Sequence, residues 1–189
     1  VFTKISGLPE NQIMGSGTIL DTARLRYGLS EHFKVAQGNI HAYVFGEHGD
    51  TSFIPWTGAY ISGLSTDEYY EEMKAHGKDV KPLDKEAMLE YVQKSGGKVI
   101  AKKGATFYAV SATVCQLVGL ILAASDSLAT VSSMLHGEYG IEDVCLSTLT
   151  LVGPNGTQGK VQMRMNKEEI ALLKKSADAL KEVIAQIEL

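Results

Sequence analysis

The stretch from Ala109 to Ala124 is the most apolar in the chain, and it limits what the chain can become. A run of that kind either crosses a membrane or is covered inside a fold. A spanning helix needs roughly 18–20 predominantly apolar residues. This run is shorter and carries Ser111, Thr113 and Gln116, so it reads as a buried helix and no membrane partner is expected. The 189 residues are enough for one domain with a substantial core, and 44% hydrophobic with 21% charged residues is ordinary for a globular protein. The net charge of −4 gives no reason to expect a nucleic-acid partner. The N-terminus lacks the positive-then-apolar pattern of a secretory leader. The chain opens on Val1-Phe2-Thr3 rather than on Met, so a piece of a longer protein is expected, with residues 1–189 as a single domain.

The order of elements follows from caps, breakers and periodicity. Gly15-Ser16-Gly17-Thr18 is a loop leading into a helix that runs to about Phe33, and Thr18 with Asp21 fits a capping pattern. Apolar residues on several sides of that helix predict burial, although it carries Asp21, Arg24 and Arg26. Asn39 to Phe45 reads as a strand, broken by Gly46 to Asp50, with a second short strand about Phe53 to Trp56. Ser65 to His76 is a polar surface helix. Another helix runs from about Asp84 to Lys103, Gly104 interrupts it, and helix resumes from about Thr106 toward Ser127. Strands at Val144 to Val152 and Lys160 to Met165 flank Pro154-Asn155-Gly156, a hairpin signal. Asn166 caps the last helix, with Glu169 three residues on. Together these make an α+β domain. Cys115 and Cys145 form no metal spacing, and their apolar neighbours predict two buried free thiols in a reducing compartment. No dinucleotide or phosphate loop motif follows a strand, so no cofactor-binding residues and no metal ligands are expected in this chain.

Three charged side chains suggest chemistry. His48 lies just past a strand end, between Gly46 and Gly49, with acids at Glu47 and Asp50; most loop histidines are inert, but functional loops sit in such places. Asp21 and Arg24 are three apart and share a helix face. On an exposed helix they would be a weak ion pair, whereas in a buried one an unpartnered charge is costly. A histidine oriented by a carboxylate is a competent acid/base near neutrality. Arginine grips a planar carboxylate with two parallel hydrogen bonds. Ser52 is not in a nucleophile elbow, so the set suits proton transfer on a small carboxylic acid better than acyl transfer.

The stretches "SGLPENQIMGSGTILDTARLRY" and "NIHAYVFGEHGD", with "KKGATFYAV" further on, closely resemble the C-terminal half of the L-lactate/malate dehydrogenase family, nearest its bacterial L-lactate branch. The resemblance implies the fold of that family's C-terminal domain, antiparallel hairpins packed with long helices, and a Rossmann domain lying outside this chain. It also implies roles. His48 is the acid/base at the substrate carbonyl or hydroxyl, Asp21 its orienting carboxylate, Arg24 the clamp on the substrate carboxylate, and Thr106 a substrate-pocket residue that could equally cap the helix after Gly104. Arg26 and His41 stand where bacterial members hold the effector fructose 1,6-bisphosphate; the alternative is a surface or subunit-contact pair. The implied whole is a cytoplasmic, allosteric, homotetrameric oxidoreductase of glycolysis and fermentation, using NAD on a small 2-oxo or 2-hydroxy acid. The isolated chain is then expected to be inactive. Malate and L-2-hydroxyisocaproate dehydrogenases are alternatives. So, in another class, is a non-catalytic effector-binding and oligomerisation module, which would leave Asp21, Arg24 and His48 without a joint reason.

Overall fold

Gly17 adopts a left-handed backbone (φ 52°), and a side chain there would run into Ser147 and the backbone of Thr130 and Ser132. That close approach starts the longest-range organisation in the chain, because the helix that follows is laid directly against the strands behind it. In the computed structural model, which describes residues 1–187, the helices are α1 (Phe2–Ile5), α2 (Ile19–Phe33), α3 (Thr66–Ala75), α4 (Lys85–Lys103), α5 (Tyr108–Leu122) and α6 (Lys167–Ile184). The strands form three small antiparallel sheets. One has the order β1 (Ile40–His41), β2 (Tyr60–Ile61), β3 (Leu64–Ser65). The second has the order β4 (Ser127–Ala129), β7 (Thr150–Gly153), β8 (Gly156–Lys160), and the third pairs β5 (Ser132–His136) with β6 (Glu142–Ser147). This is the α+β arrangement of hairpins and long helices expected from the sequence.

Local chemistry accounts for the helix ends. Ser65 accepts from the Glu68 N–H at 3.2 Å while Glu68 reaches back to the Ser65 N–H, a reciprocal cap that Asn166 and Glu169 repeat at α6. Asp84 caps α4, and Gly104 ends it in the left-handed region. Apolar faces then do the packing. Leu25, Leu29 and Phe33 of α2 are buried with Val92 of α4 and with Ile40, Val44, Ile54 and Ile61. A second cluster joins Leu173 and Ala177 of α6 to Leu135, Val144 and Leu146, and includes Phe45 and Phe53. Each fully buried leucine contributes about 1.5–3 kcal/mol over an exposed one.

Several expectations are corrected. The apolar helix is there, but it is not buried: Thr113 and Leu117 of α5 are covered and Leu120 and Ile121 half-covered, while Val110, Val114, Val118 and Leu122 form an exposed line at four-residue spacing. Apolar composition shows that a face suits burial, not that this chain covers it. Cys115 is consequently exposed and Cys145 half-buried, both as free thiols. α2 buries one side only, with Tyr27 half exposed. Thr18 precedes α2 but makes no side-chain cap, and Phe107, not Thr106, precedes α5. The strand expected at Asn39 to Phe45 is regular only over Ile40–His41, and Phe53 joins Phe45 as an isolated bridge while Trp56 starts a 3-10 turn. The expected Val144 to Val152 strand splits into β6 and β7 in different sheets. The hairpin partner lies at Gly156–Lys160 rather than Lys160 to Met165. β4 and β5 were not expected: Ser127-Leu128-Ala129 and Ser132-Ser133-Met134-Leu135-His136 are short and lack the strict alternation that marks a half-buried strand.

Candidate active site

The first turns of α2 carry the site. Thr18 and Thr22 lie four apart and face the segment that leads to His48. The Thr18 hydroxyl donates to the Val44 carbonyl at 2.5 Å, and the Val44 N–H donates to the Thr22 hydroxyl at 3.0 Å. Thr22 also meets Thr130 at 3.1 Å. Both backbone groups of Val44 are thus held by α2, which sets the height of the following loop against the helix. Neither threonine was singled out as functional from the sequence; two hydroxyls at helical spacing on a buried face were the available signal.

The loop itself is pinned at its neck. Phe45 and Phe53 exchange backbone hydrogen bonds at 2.9 and 3.0 Å, and Gly46 and Ser147 exchange two more at 3.0 Å. Gly46 has φ 97°, and a side chain there would collide with Ser176 of α6. The space a side chain would fill is taken by the Ser176 hydroxyl, which accepts from the Glu47 N–H at 2.7 Å and lies within hydrogen-bond distance of the Thr51 hydroxyl, 3.0 Å away. Glu47 accepts from the N–H and the hydroxyl of Thr51, both at 3.0 Å, so its charge closes the loop internally. Gln93 of α4 donates to the carbonyls of Asp50 and Ser52 at 3.2 and 2.9 Å. What looked like a flexible glycine segment is a strapped one, and Ser176 and Gln93, distant in sequence, carried no local signal.

Within this frame three of the expected residues meet. His48 Nδ1 lies 2.6 Å from Asp21 Oδ2, and Arg24 Nη1 donates to Asp21 Oδ1 at 2.9 Å. The Asp21 side chain is 6% exposed, Arg24 16% and His48 62%. Asp21 therefore sits behind the other two, and both oxygens of its carboxylate are used. The hydrogen bond to Asp21 raises the His48 pKa above its ordinary 6.5; partial burial opposes this, the Asp21 charge adds to it, Arg24 opposes it, and Glu47 adds least. Asp50, exposed and held only through its backbone carbonyl by Gln93, plays no part in that balance. With Nδ1 engaged, Nε2 faces outward and bonds to nothing among the described residues. The rest of the Arg24 guanidinium makes no hydrogen bond among the described residues and lies beside Gly96 of α4.

The other expected residues are not joined to this centre. Thr106 is half-buried between Gly104 and α5 and shares no hydrogen bond with His48 or Arg24. Arg26 donates through Nε to the Ala42 carbonyl at 3.1 Å and lies 5.0 Å from the centroid of the Tyr43 ring. His41 is exposed on β1 opposite Tyr60 and shares no hydrogen bond with Arg26. Among the described residues no cluster of His, Cys, Asp and Glu could hold a metal ion, and no helix is long and apolar enough to cross a membrane. The loop Gly15-Ser16-Gly17 does not fit a dinucleotide phosphate. Gly15 N–H donates to Ser132, Thr18 N–H to Thr130 and Ile19 N–H to Ser16, so three N–H groups of this turn are engaged, and the open face of Gly17 is closed by Ser147 and the backbone of Thr130 and Ser132 rather than left for a phosphate.

Comparison with known proteins places the chain in a family. Residues 18–188 match the model of the lactate/malate dehydrogenase alpha/beta C-terminal domain. An L-lactate dehydrogenase of Acetivibrio thermocellus is 45% identical over 98% of this chain, and L-lactate dehydrogenase 1 of Clostridium acetobutylicum 42% over 97%. The chain spans 58% of the length of each. Among solved structures, an L-lactate dehydrogenase from Clostridium thermocellum superposes with TM-score 0.88 at 35% identity, over 99% of this chain and 60% of that one. The minor L-lactate dehydrogenase of Enterococcus mundtii gives 0.90 at 30%, over 98% and 58%. With its α+β fold, its buried Asp21 behind His48 and Arg24, and a match over nearly its whole length, this chain belongs to the lactate/malate dehydrogenase family.

Proposed function

We propose that this chain is the single substrate-binding and catalytic domain of an NAD-dependent L-lactate dehydrogenase, interconverting pyruvate and lactate. The observation that carries the reading is the Asp21 carboxylate shared between His48 and Arg24. Asp21 fixes the ring so that Nε2 carries the transferable proton, and stabilises the imidazolium. In the reducing direction His48 Nε2–H gives its proton to the keto oxygen, and in the oxidising direction the neutral ring takes the hydroxyl proton. Arg24 holds the substrate carboxylate through a planar pair of hydrogen bonds, and Thr106 lines the pocket. The carbon also needs a hydride. This chain offers no fitting dinucleotide site, so we assign NAD binding to residues outside it and expect the chain alone to be inactive. Lactate is favoured over malate or longer 2-hydroxy acids because the relatives are L-lactate dehydrogenases. Arg26 and His41 would hold fructose 1,6-bisphosphate in a cytoplasmic homotetramer.

The test uses the full-length enzyme. His48→Gln should lower kcat by about 10²–10⁴-fold with the fold intact. Arg24→Lys should mainly raise KM for pyruvate, since a point charge cannot reproduce the planar fork. Unchanged turnover in His48→Gln would remove the reading, as would pyruvate reduction by this chain on its own.

A further inference from the structure

Away from His48, β8 ends in an amine that the fold has half enclosed without giving it an acid. The Lys160 ammonium donates to the Ser133 hydroxyl on β5 and, at 3.2 Å, to the Thr150 hydroxyl on β7. No carboxylate oxygen among the described residues lies within 4.0 Å of it. By contrast, exposed Lys85 and Lys94 pair with Asp67 and Glu90 at 2.8 and 2.5 Å. Lys160 lines a cavity of about 200 Å³ together with Ser133, Thr150, His136, Glu10 and Glu138. The two acids there are already committed to His136: Glu10 holds its Nε2 at 2.5 Å and Glu138 accepts from its backbone N–H at 2.6 Å.

Burying an ammonium without a counter-charge favours its neutral form. Lys160 is accordingly held down to about 8, burial outweighing the weak pulls of Glu138, Cys145 and Glu10. A neutral amine is a nucleophile, whereas an ammonium is not. Conversion to an amide would remove the buried charge altogether and leave the Ser133 hydroxyl as a donor to the new carbonyl, the Thr150 proton being held by the Thr148 carbonyl. Glu10 and Glu138 at the rim repel anionic donors, and this selects an uncharged electrophile. We propose that Lys160 is a lysine acylation site whose cavity admits the acyl end of a small thioester. The amine nitrogen attacks the thioester carbonyl and a C–N bond forms. The C–S bond breaks, the sulfur leaves as thiolate with the bonding pair, and the extra proton on nitrogen passes to solvent.

The test is acetylation of this chain by S-acetyl-N-acetylcysteamine at pH 7.5, with each lysine followed by mass spectrometry of proteolytic peptides. At that pH an amine with a pKa of about 8 is roughly 200 times more often neutral than one at 10.5. Weaker basicity lowers intrinsic nucleophilicity, by roughly 15-fold if amines follow the slope seen for thiols. Lys160 should therefore react about tenfold faster than exposed Lys34 and Lys78. The preference should vanish in 8 M urea, and Lys160→Arg should remove the fast phase. Acetyl phosphate, matched for concentration, should show a smaller preference. The proposal fails if Lys160 reacts no faster than Lys34 and Lys78, or if the preference survives unfolding. It also fails if the fast phase persists in Lys160→Arg, or if acetyl phosphate shows the larger preference.

Discussion

Replacing Asp21 with Asn keeps the shape of the side chain and removes its charge. In the native chain the carboxylate is nearly enclosed, with His48 at 2.6 Å and Arg24 at 2.9 Å. The hydrogen bond to Asp21 is the largest influence on His48 and its charge the third, both raising the pKa; burial and Arg24 lower it, and Glu47 raises it least. Without the Asp21 charge, burial and Arg24 prevail, so the His48 pKa should move from above 6.5 to below it. The sign for stability follows. Because folding raises this pKa, the pair stabilises fully below the unfolded value near 6.5, and the contribution fades as pH rises through the folded one. A charge-assisted hydrogen bond is worth about 1.5–3 kcal/mol, and an imidazole 62% exposed to water brings this one nearer ~1 kcal/mol. Arg24 loses its partner at every pH, so comparing two pH values cancels that loss. Urea unfolding of both proteins at pH 5.5 and pH 9 measures the remainder, and imidazole NMR titration reads His48 directly. Asp21→Asn should cost about 1 kcal/mol more at pH 5.5 than at pH 9. A native His48 titrating at or below 6.5, or one unmoved by the substitution, would refute the reasoning.

Ser176→Ala removes the hydroxyl that accepts from the Glu47 N–H and meets the Thr51 hydroxyl; it should destabilise by about 1–2 kcal/mol and shift amide resonances of residues 46–52 while α6 stays helical by circular dichroism. Lys160→Met should raise urea stability near pH 7. The drop from 10.5 to about 8 is worth about 3 kcal/mol, reduced to about 1–2 kcal/mol by residual water contact and the two hydroxyls left behind. A base whose folded pKa is depressed weakens the fold below that pKa and is relieved as pH climbs from about 8 toward 10.5, so the gain should shrink over that range; a gain independent of pH would contradict it. Gly17→Ala, placed at φ 52° against the backbone of Thr130 and Ser132, should lower stability by about 2 kcal/mol or more in thermal unfolding, with no recovery on adding Ser147→Ala.

The site was only partly legible in the chain. Asp21, Arg24 and His48 could be named as residue types suited to proton transfer on a carboxylic acid, and their joint order resembles one family. Their convergence could not be derived, because Asp21 and His48 are 27 residues apart and meet only where Thr18 and Thr22 hold Val44. Ser176 was out of reach for the same reason: it touches Glu47 across 129 positions. Glu47, adjacent to His48 in sequence, is turned into the loop by Thr51 instead, and the exposed Asp50 shares no hydrogen bond with His48.

By itself the sequence determined what neighbouring residues decide among themselves: the helices beginning near Ser65 and Asp84, the cap at Asn166, the stop at Gly104, the turn at Pro154-Asn155 and the α+β class. These depend on hydrogen bonds and dihedral preferences spanning three or four residues. Tertiary structure decided which surfaces are covered and which charges meet. It left the line Val110, Val114, Val118 and Leu122 exposed, divided the Val144 to Val152 run between two sheets, and enclosed Lys160 among hydroxyls. Burial is a property of what packs opposite a face, and that partner is set by the path of the whole chain.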